Sequence, residues 1–468
     1  KTERIPATAR ATLFRLLDIT GIISGVNLAK TNVWPGTDQP FILLFANNQP
    51  PDVHPLTRLL CPHYDVDLNG RGEFRLDADT SRIVNPQQSQ EKTWLWKAWC
   101  LGTSLDVEII ERIMAHTDAV KVSQYWHDNQ LAQGQGYMIS ESRTQRDASH
   151  LKGRPNLPAR AQRGFTLNTR KLAKFDRDTV YFLGRPGIYT GPLVLVRQSP
   201  GTDRRRGFAI LASKDVAYVS SYYGYSTAGH KYANRLARYL HLLIHSNLWL
   251  HFGLLTSSQF GAERNKLQKP SIDDFPIIPL EKLNSRNQKR IVELSQRLIK
   301  SESSVFTDID KFFCSIYGLG ADDRQVINDT LEVGQAYRES SGKRACEPPK
   351  LSECASFVED LQELLAPLID VATSQLAAVL WFPHGMSTAD RTFSAVLFGR
   401  APNTIDEQVY FKSILPLADD TGASQVFMKL DNGGLLIGIR NQYRYWTRTR
   451  ARLLAAEIIR KHLDTITP

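Results

Sequence analysis

The tetrapeptide Val33-Trp34-Pro35-Gly36 lies between two apolar, β-prone runs, GIISGVNL (21–28) and PFILLFANN (40–48). An aromatic-Pro turn between such runs predicts strand, turn, strand, and places a large flat ring at the rim of a sheet, where a planar ligand such as a nucleobase can stack. The run TARATLFRLLDIT (8–20) has apolar positions at helical spacing and predicts a helix ahead of the first strand. A helix and two strands cannot bury a core alone, so the rest of a sheet has to complete them. Because the sequence opens at Lys1 rather than Met, it reads as the back half of a larger protein.

At 468 residues and 52.9 kDa the chain exceeds a single core and is expected to form several domains. No apolar run approaches the roughly 18 residues of a membrane span, and no charged-then-apolar leader opens the chain; no membrane partner and a cytoplasmic location are the expectations. The five cysteines (Cys61, Cys100, Cys314, Cys346, Cys354) are scattered without C-x-x-C spacing, which points to reduced thiols.

Charge is distributed unevenly. Residues 1–114 carry 12 Lys+Arg against 13 Asp+Glu, residues 115–300 carry 29 against 13, and residues 301–468 carry 17 against 22. The middle segment therefore holds an excess of 29 − 13 = +16, more than the +10 of the whole chain. Such an excess over one domain is the footprint of a phosphate-backbone binder. Its cations fall in three places: Arg154, Arg160, Arg163, Arg170 and Lys171 in a Gly- and Pro-rich stretch, Arg204-Arg205-Arg206 between two expected strands, and Arg264, Lys266 and Lys269 around the FGAER turn. Arg suits both phosphates and bidentate contacts with guanine, so one or two of these would read bases while most position the duplex. Tyr223, with Tyr222 and Tyr225, is read equally as a contact residue or as core.

Along the chain, 71–84 reads as a strand or hairpin and 93–115 as largely helical. GPLVLVRQ (191–198), FAILAS (208–213) and VAYVSSYYGY (216–225) read as strands, and 233–257 as a helix pair broken near Ser246-Asn247. Helices follow over 281–340 and near 351–366, with SSGKRACEPPK (340–350) as the expected linker. The patches LAAVLWF, RTFSAVLFG, QVYFKSILPL and QVFMKLDNGGLLIGIR predict a small β-rich domain closed by a helix at 447–463. His241 and His245 share a helix face and His251 follows, but no acid lies close in sequence, so no metal site is expected and partial burial or exposure is.

Two stretches resemble the adenine-N6 DNA methyltransferases of restriction-modification systems, in the branch that fuses the methylase to a target recognition domain. NVWPGTDQPFILLF (32–45) is similar to the late strand-turn-strand of the methylase sheet, and the resemblance implies that Trp34 stacks on an adenine flipped out of the duplex. LLIHSNLWLHFGLLTSSQFGAERNKLQKPSIDDFPIIPLEKL (242–283) is similar to the end of the recognition domain, with Lys269, Ile272, Phe275, Pro276, Ile277 and Pro279 at the matching positions and Ser246-Asn247 inverting the usual order. DIDKFFCSIYGLGADD (308–323) adds a weaker likeness.

The family's (D/N)-P-P-(Y/F) loop and Gly-rich S-adenosylmethionine loop do not occur; Asn48-Gln49-Pro50-Pro51-Asp52 is a plain loop. The resemblance thus implies an α/β and α+β multidomain chain. Residues 1–115 end a doubly wound methylase sheet and its connector, 116–300 form an α+β target recognition domain with a spacer helix, 301–368 a helical connector, and 369–468 a small α+β domain. It implies sequence-specific binding of double-stranded DNA, with S-adenosylmethionine held by a missing N-terminal half or partner subunit, and no activity in this chain alone. The alternative is a non-catalytic DNA-binding or scaffold subunit of an antiphage complex, working with other defence proteins.

Overall fold

The computed structural model describes residues 4–37, 39–76, 78–159, 164–199, 206–262, 266–334, 339–368, 376–381, 392–400, 410–430 and 434–466. The chain is mixed α/β with several small sheets, and it divides into two compact units: residues 1–102 together with 328–468, and residues 103–327.

In the N-terminal part of the first unit, helix α1 (Arg4–Leu16) leads into strand β1 (Asp18–Ser24), followed by β2 (Ile42–Asn47), β3 (Thr57–Leu60) and β4 (Ser81–Val84). The expected helix over 8–20 therefore ends earlier: Ile19 pairs with Ala46 and is buried, so sheet pairing takes over the last residues of the apolar run. The sheet order is β2-β1-β3-β4, with β1 antiparallel to β2 and parallel to β3. Ile19, Ile22 and Ile23 of β1 are buried, as a central strand requires. By contrast β2 pairs only with β1 among the described residues, and Ile42, Leu44 and Phe45 are exposed.

The second unit is built on an antiparallel sheet of β5 (Gln133–Gln135), β6 (Leu193–Arg197), β7 (Ala209–Ala212) and β8 (Tyr222–Ser226), in the order β7-β6-β8-β5. Every apolar residue of the LVLVR run is buried, because β6 is central and covered on both faces. The expected single strand over 216–225 breaks at Val219–Ser221, and Ala217–Tyr218 pairs instead with Asn156–Leu157. The helix pair forms as α2 (Ala233–Ile244) and α3 (Asn247–Thr256). Ser246 ends the first and caps the second, its hydroxyl accepting from Trp249 N at 3.2 Å. Helices α4 (Ser285–Ile299) and α5 (Val305–Ile316) follow.

The C-terminal part of the first unit is an antiparallel sheet ordered β9 (Leu376–Trp381), β10 (Phe393–Arg400), β12 (Leu435–Arg440), β11 (Gln425–Lys429). Helices α6 (Leu351–Leu365) and α7 (Arg448–Ile466) pack together, and Phe357, Leu361, Ile437, Trp446 and Ile458 form one core with the sheet. Two expectations change here. The linker at 340–350 is largely the helix Glu339–Cys346, in which Ala345 is buried and Arg344 pairs with Glu353. In QVYFKSILPL, residues 410–421 are helical rather than extended, because Ile414 and Ala418, four apart, are both buried on one face; residues 408 and 409 lie outside the described residues.

Candidate nucleic-acid interface

The Trp34 turn is built from its neighbours. Trp34 O accepts from Thr37 N at 3.2 Å, with Pro35 and Gly36 between them, and Gly36 has φ +78. That is a turn with Gly where a side chain would be strained. The Asn32 amide donates to Gly70 O at 2.8 Å, and buried Asn27 donates to Pro62 O and Cys100 O, so the loop leading to the turn is held by side chains. Phe41 lies 4.9 Å from the Trp34 ring at 45° and also covers Gly25, where a Cβ would meet it at 2.5 Å. Trp34 itself is 46% exposed. An exposed indole with one side backed by Phe41 can accept a second flat ring.

The sequence-expected cations of the second unit separate into two kinds. Arg206 is structural: its guanidinium forks onto Asp310 at 2.8 and 2.6 Å, donates to His245 O at 3.2 Å and lies 4.8 Å over Phe306. Arg154 donates to Tyr189 O and pairs with Asp215 at 3.3 Å, and Lys269 pairs with Asp273 across one helical turn and lies 5.7 Å from the Tyr225 ring. Arg170, Lys171 and Lys266 are exposed, and among the described residues none has an acidic partner. Arg160, Arg163, Arg204, Arg205 and Arg264 lie outside the described residues. Tyr223, only 7% exposed, lies in β8 between fully buried Tyr222 and Tyr225, and burial pushes its hydroxyl pKa up. Tyr223 is thus packed within the sheet, the core alternative of the sequence reading.

The stretch whose sequence resembles the end of a recognition domain is also core. Phe275 and Ile277 are fully buried, Pro276 and Ile277 bridge Lys121 and Val120, and Tyr317 donates to Pro276 O at 2.6 Å.

Two arginines absent from the sequence expectations stand out. Arg143 donates through Nη1 to the Tyr181 hydroxyl at 2.7 Å with its guanidinium carbon 4.9 Å over that ring, and Arg146 lies 6.0 Å over Phe182. Their aromatic partners follow 36 or more residues later, so no local pattern signals them.

The histidines are the other surprise. His241, His245 and His251 are buried rather than exposed. His241 and His245 both donate through Nε2 to Ala209 O, at 3.3 and 3.0 Å, and burial depresses the His241 pKa to about 4. His251 does have an acid, supplied from far along the chain: Nε2 donates to Asp106 Oδ1 at 2.7 Å, with both side chains sealed from solvent. Asp106 also accepts from Thr103 N and Oγ1 at the start of the helix Ser104–Met114. No group of three or more His, Cys, Asp and Glu is arranged to hold a metal ion among the described residues, and no helix is long and apolar enough to cross a membrane among them.

No protein-family model matches the chain, and no curated protein does. Among solved structures, it is similar to the type IIG restriction endonuclease BpuSI, at 9% identity and a TM-score of 0.35, over 72% of this chain and 45% of that one. It is also similar to a chain of a type I restriction-modification system, at 8% identity and a TM-score of 0.21, over 69% of this chain and 93% of that one. The chain thus spans less than half the length of the restriction endonuclease.

Proposed function

We propose that this chain recognises double-stranded DNA as part of an adenine-N6 methyltransferase, with S-adenosylmethionine and the catalytic loop supplied by another portion of the protein or by a partner subunit. The observation that carries the reading is the excess of 16 positive charges over residues 115–300, together with the exposure of Arg143, Arg146, Arg170, Lys171 and Lys266 on the surface of the second unit. Exposed charge of this kind meets phosphates, and the counterions released make affinity depend steeply on salt. Trp34 supports the second half of the reading. An adenine taken out of the stack loses a few kcal/mol of stacking, and an exposed indole returns part of it.

In this reading the chain contributes binding, orientation of the duplex and one wall of the base pocket. The cofactor's methyl transfer takes place elsewhere. The open edge of β2 is where further strands of a methylase sheet would add.

The test is a titration of labelled duplex DNA with the full chain by fluorescence anisotropy at several salt concentrations, beside calorimetry with S-adenosylmethionine. Duplex binding that weakens by about a thousandfold from 50 to 200 mM salt is expected if roughly six phosphates are neutralised, with no heat of cofactor binding. Salt-insensitive binding, or tight cofactor binding by this chain, would overturn the proposal.

A further inference from the structure

The loop from Met138 to Arg146 is closed at both ends on one short segment. Met138 O accepts from Tyr181 N at 2.9 Å and from Phe182 N at 3.2 Å, and Arg146 pairs in antiparallel register with Val180. Inside the loop the Gln145 amide donates to Ser140 O at 2.6 Å and to Arg143 O at 2.8 Å. The Gln145 side chain therefore holds the backbone that carries Arg143, while residues 141–147 are all exposed.

Arg143 sits at the head of this loop, fixed by the Tyr181 hydroxyl and lying over the Tyr181 ring. Among the described residues it has no acidic partner. Asp147, the nearest acid in sequence to Arg146, is occupied by Ser149 N at 2.9 Å and Ser149 Oγ at 3.1 Å.

An Arg meant only to neutralise phosphate gains little from being held in one geometry, since phosphate presents acceptors in many directions. A bidentate contact to O6 and N7 of guanine demands a guanidinium fixed in plane and angle. One of its five N–H donors goes to Tyr181, which leaves the others for such a contact. Resting on the DNA-binding reading above, we infer that Arg143 is a base-reading residue that selects guanine in the major groove, with Tyr181 as the residue that positions it.

The experiment is enrichment of duplexes from a randomised DNA library by the full chain, with bound molecules sequenced, run for wild type, Arg143→Ala, Arg143→Lys and Tyr181→Phe, and beside a randomised RNA library. Wild type is expected to enrich a motif containing guanine. Arg143→Ala and Arg143→Lys should lose about tenfold preference at one guanine position while the other positions keep theirs. Arg143→Lys preserves the charge, so its affinity for unselected duplex should hold within about twofold. Tyr181→Phe, which keeps the ring and removes the hydroxyl, should lose part of the same preference.

A wild-type motif without guanine, or a motif unchanged in Arg143→Ala with all sequences weakened alike, overturns this inference and leaves DNA binding standing. Enrichment of RNA alone, or of nothing, overturns the DNA-binding reading and this inference with it.

Discussion

Two arginines of the same basic segment answer to different physics. Arg206 is held by a bidentate contact with Asp310, whose side chain is 11% exposed. Arg206→Ala leaves that carboxylate half-paired and is expected to cost about 2–3 kcal/mol in chemical denaturation. Substituting Arg170 and Lys171 together by Ala should leave stability within about 0.5 kcal/mol. The same double variant should flatten the logarithmic salt slope of DNA binding by about two. Nothing in the sequence distinguishes these cations, because the difference lies in Asp310, a hundred residues away.

His251 and Asp106 make the same point inside the core. Asp106→Ala strands a buried imidazole and is expected to cost about 3–5 kcal/mol. His241 adds a pH dependence of known sign. Its pKa falls from 6.5 unfolded to about 4 folded, so the unfolded chain binds the extra proton as pH drops. Stability is unaffected above pH 6.5, falls by roughly 1.4 kcal/mol per pH unit below it, and levels off near pH 4. Midpoints of denaturation followed from pH 7 to pH 4 should show a shallower decline in His241→Gln than in wild type.

At the scale of elements, periodicity located most strands and helices, and failed where burial came from distant partners. The segment 410–421 has the apolar content of a strand, yet Ile414 and Ala418 are buried at helical spacing. The stretch 340–350 has linker composition, yet Arg344 and Ala345 find partners that make it a helix. β2 carries its own prediction. Ile42 is 66% and Phe45 51% exposed on a strand open at its outer edge, which invites pairing with another strand. Ile42→Lys with Leu44→Lys should reduce self-association in light scattering without lowering the denaturation midpoint. The reverse outcome would mean that the face is packed. Gly25→Ala tests the turn from beneath: a Cβ there must displace Phe41, and with it the Trp34 ring. A shift of the tryptophan fluorescence is the expected readout.

For the whole molecule, composition alone fixed the charge asymmetry, since a count of Lys, Arg, Asp and Glu needs no coordinates. The Trp34 turn and the antiparallel pair around it were equally legible. Pro, Gly and two β-prone runs select the turn locally, while Asn27 and Asn32 hold the loop leading to it through contacts with Pro62, Cys100 and Gly70. Tertiary structure decided the rest. It joined residues 1–102 with 328–468 in one compact unit, sealed His251 against Asp106, buried Tyr223, paired Arg206 with Asp310, and set Arg143 on Tyr181. Each of these is a pairing between residues far apart in sequence. A residue's type states what it is able to bond, and only the fold states what it meets.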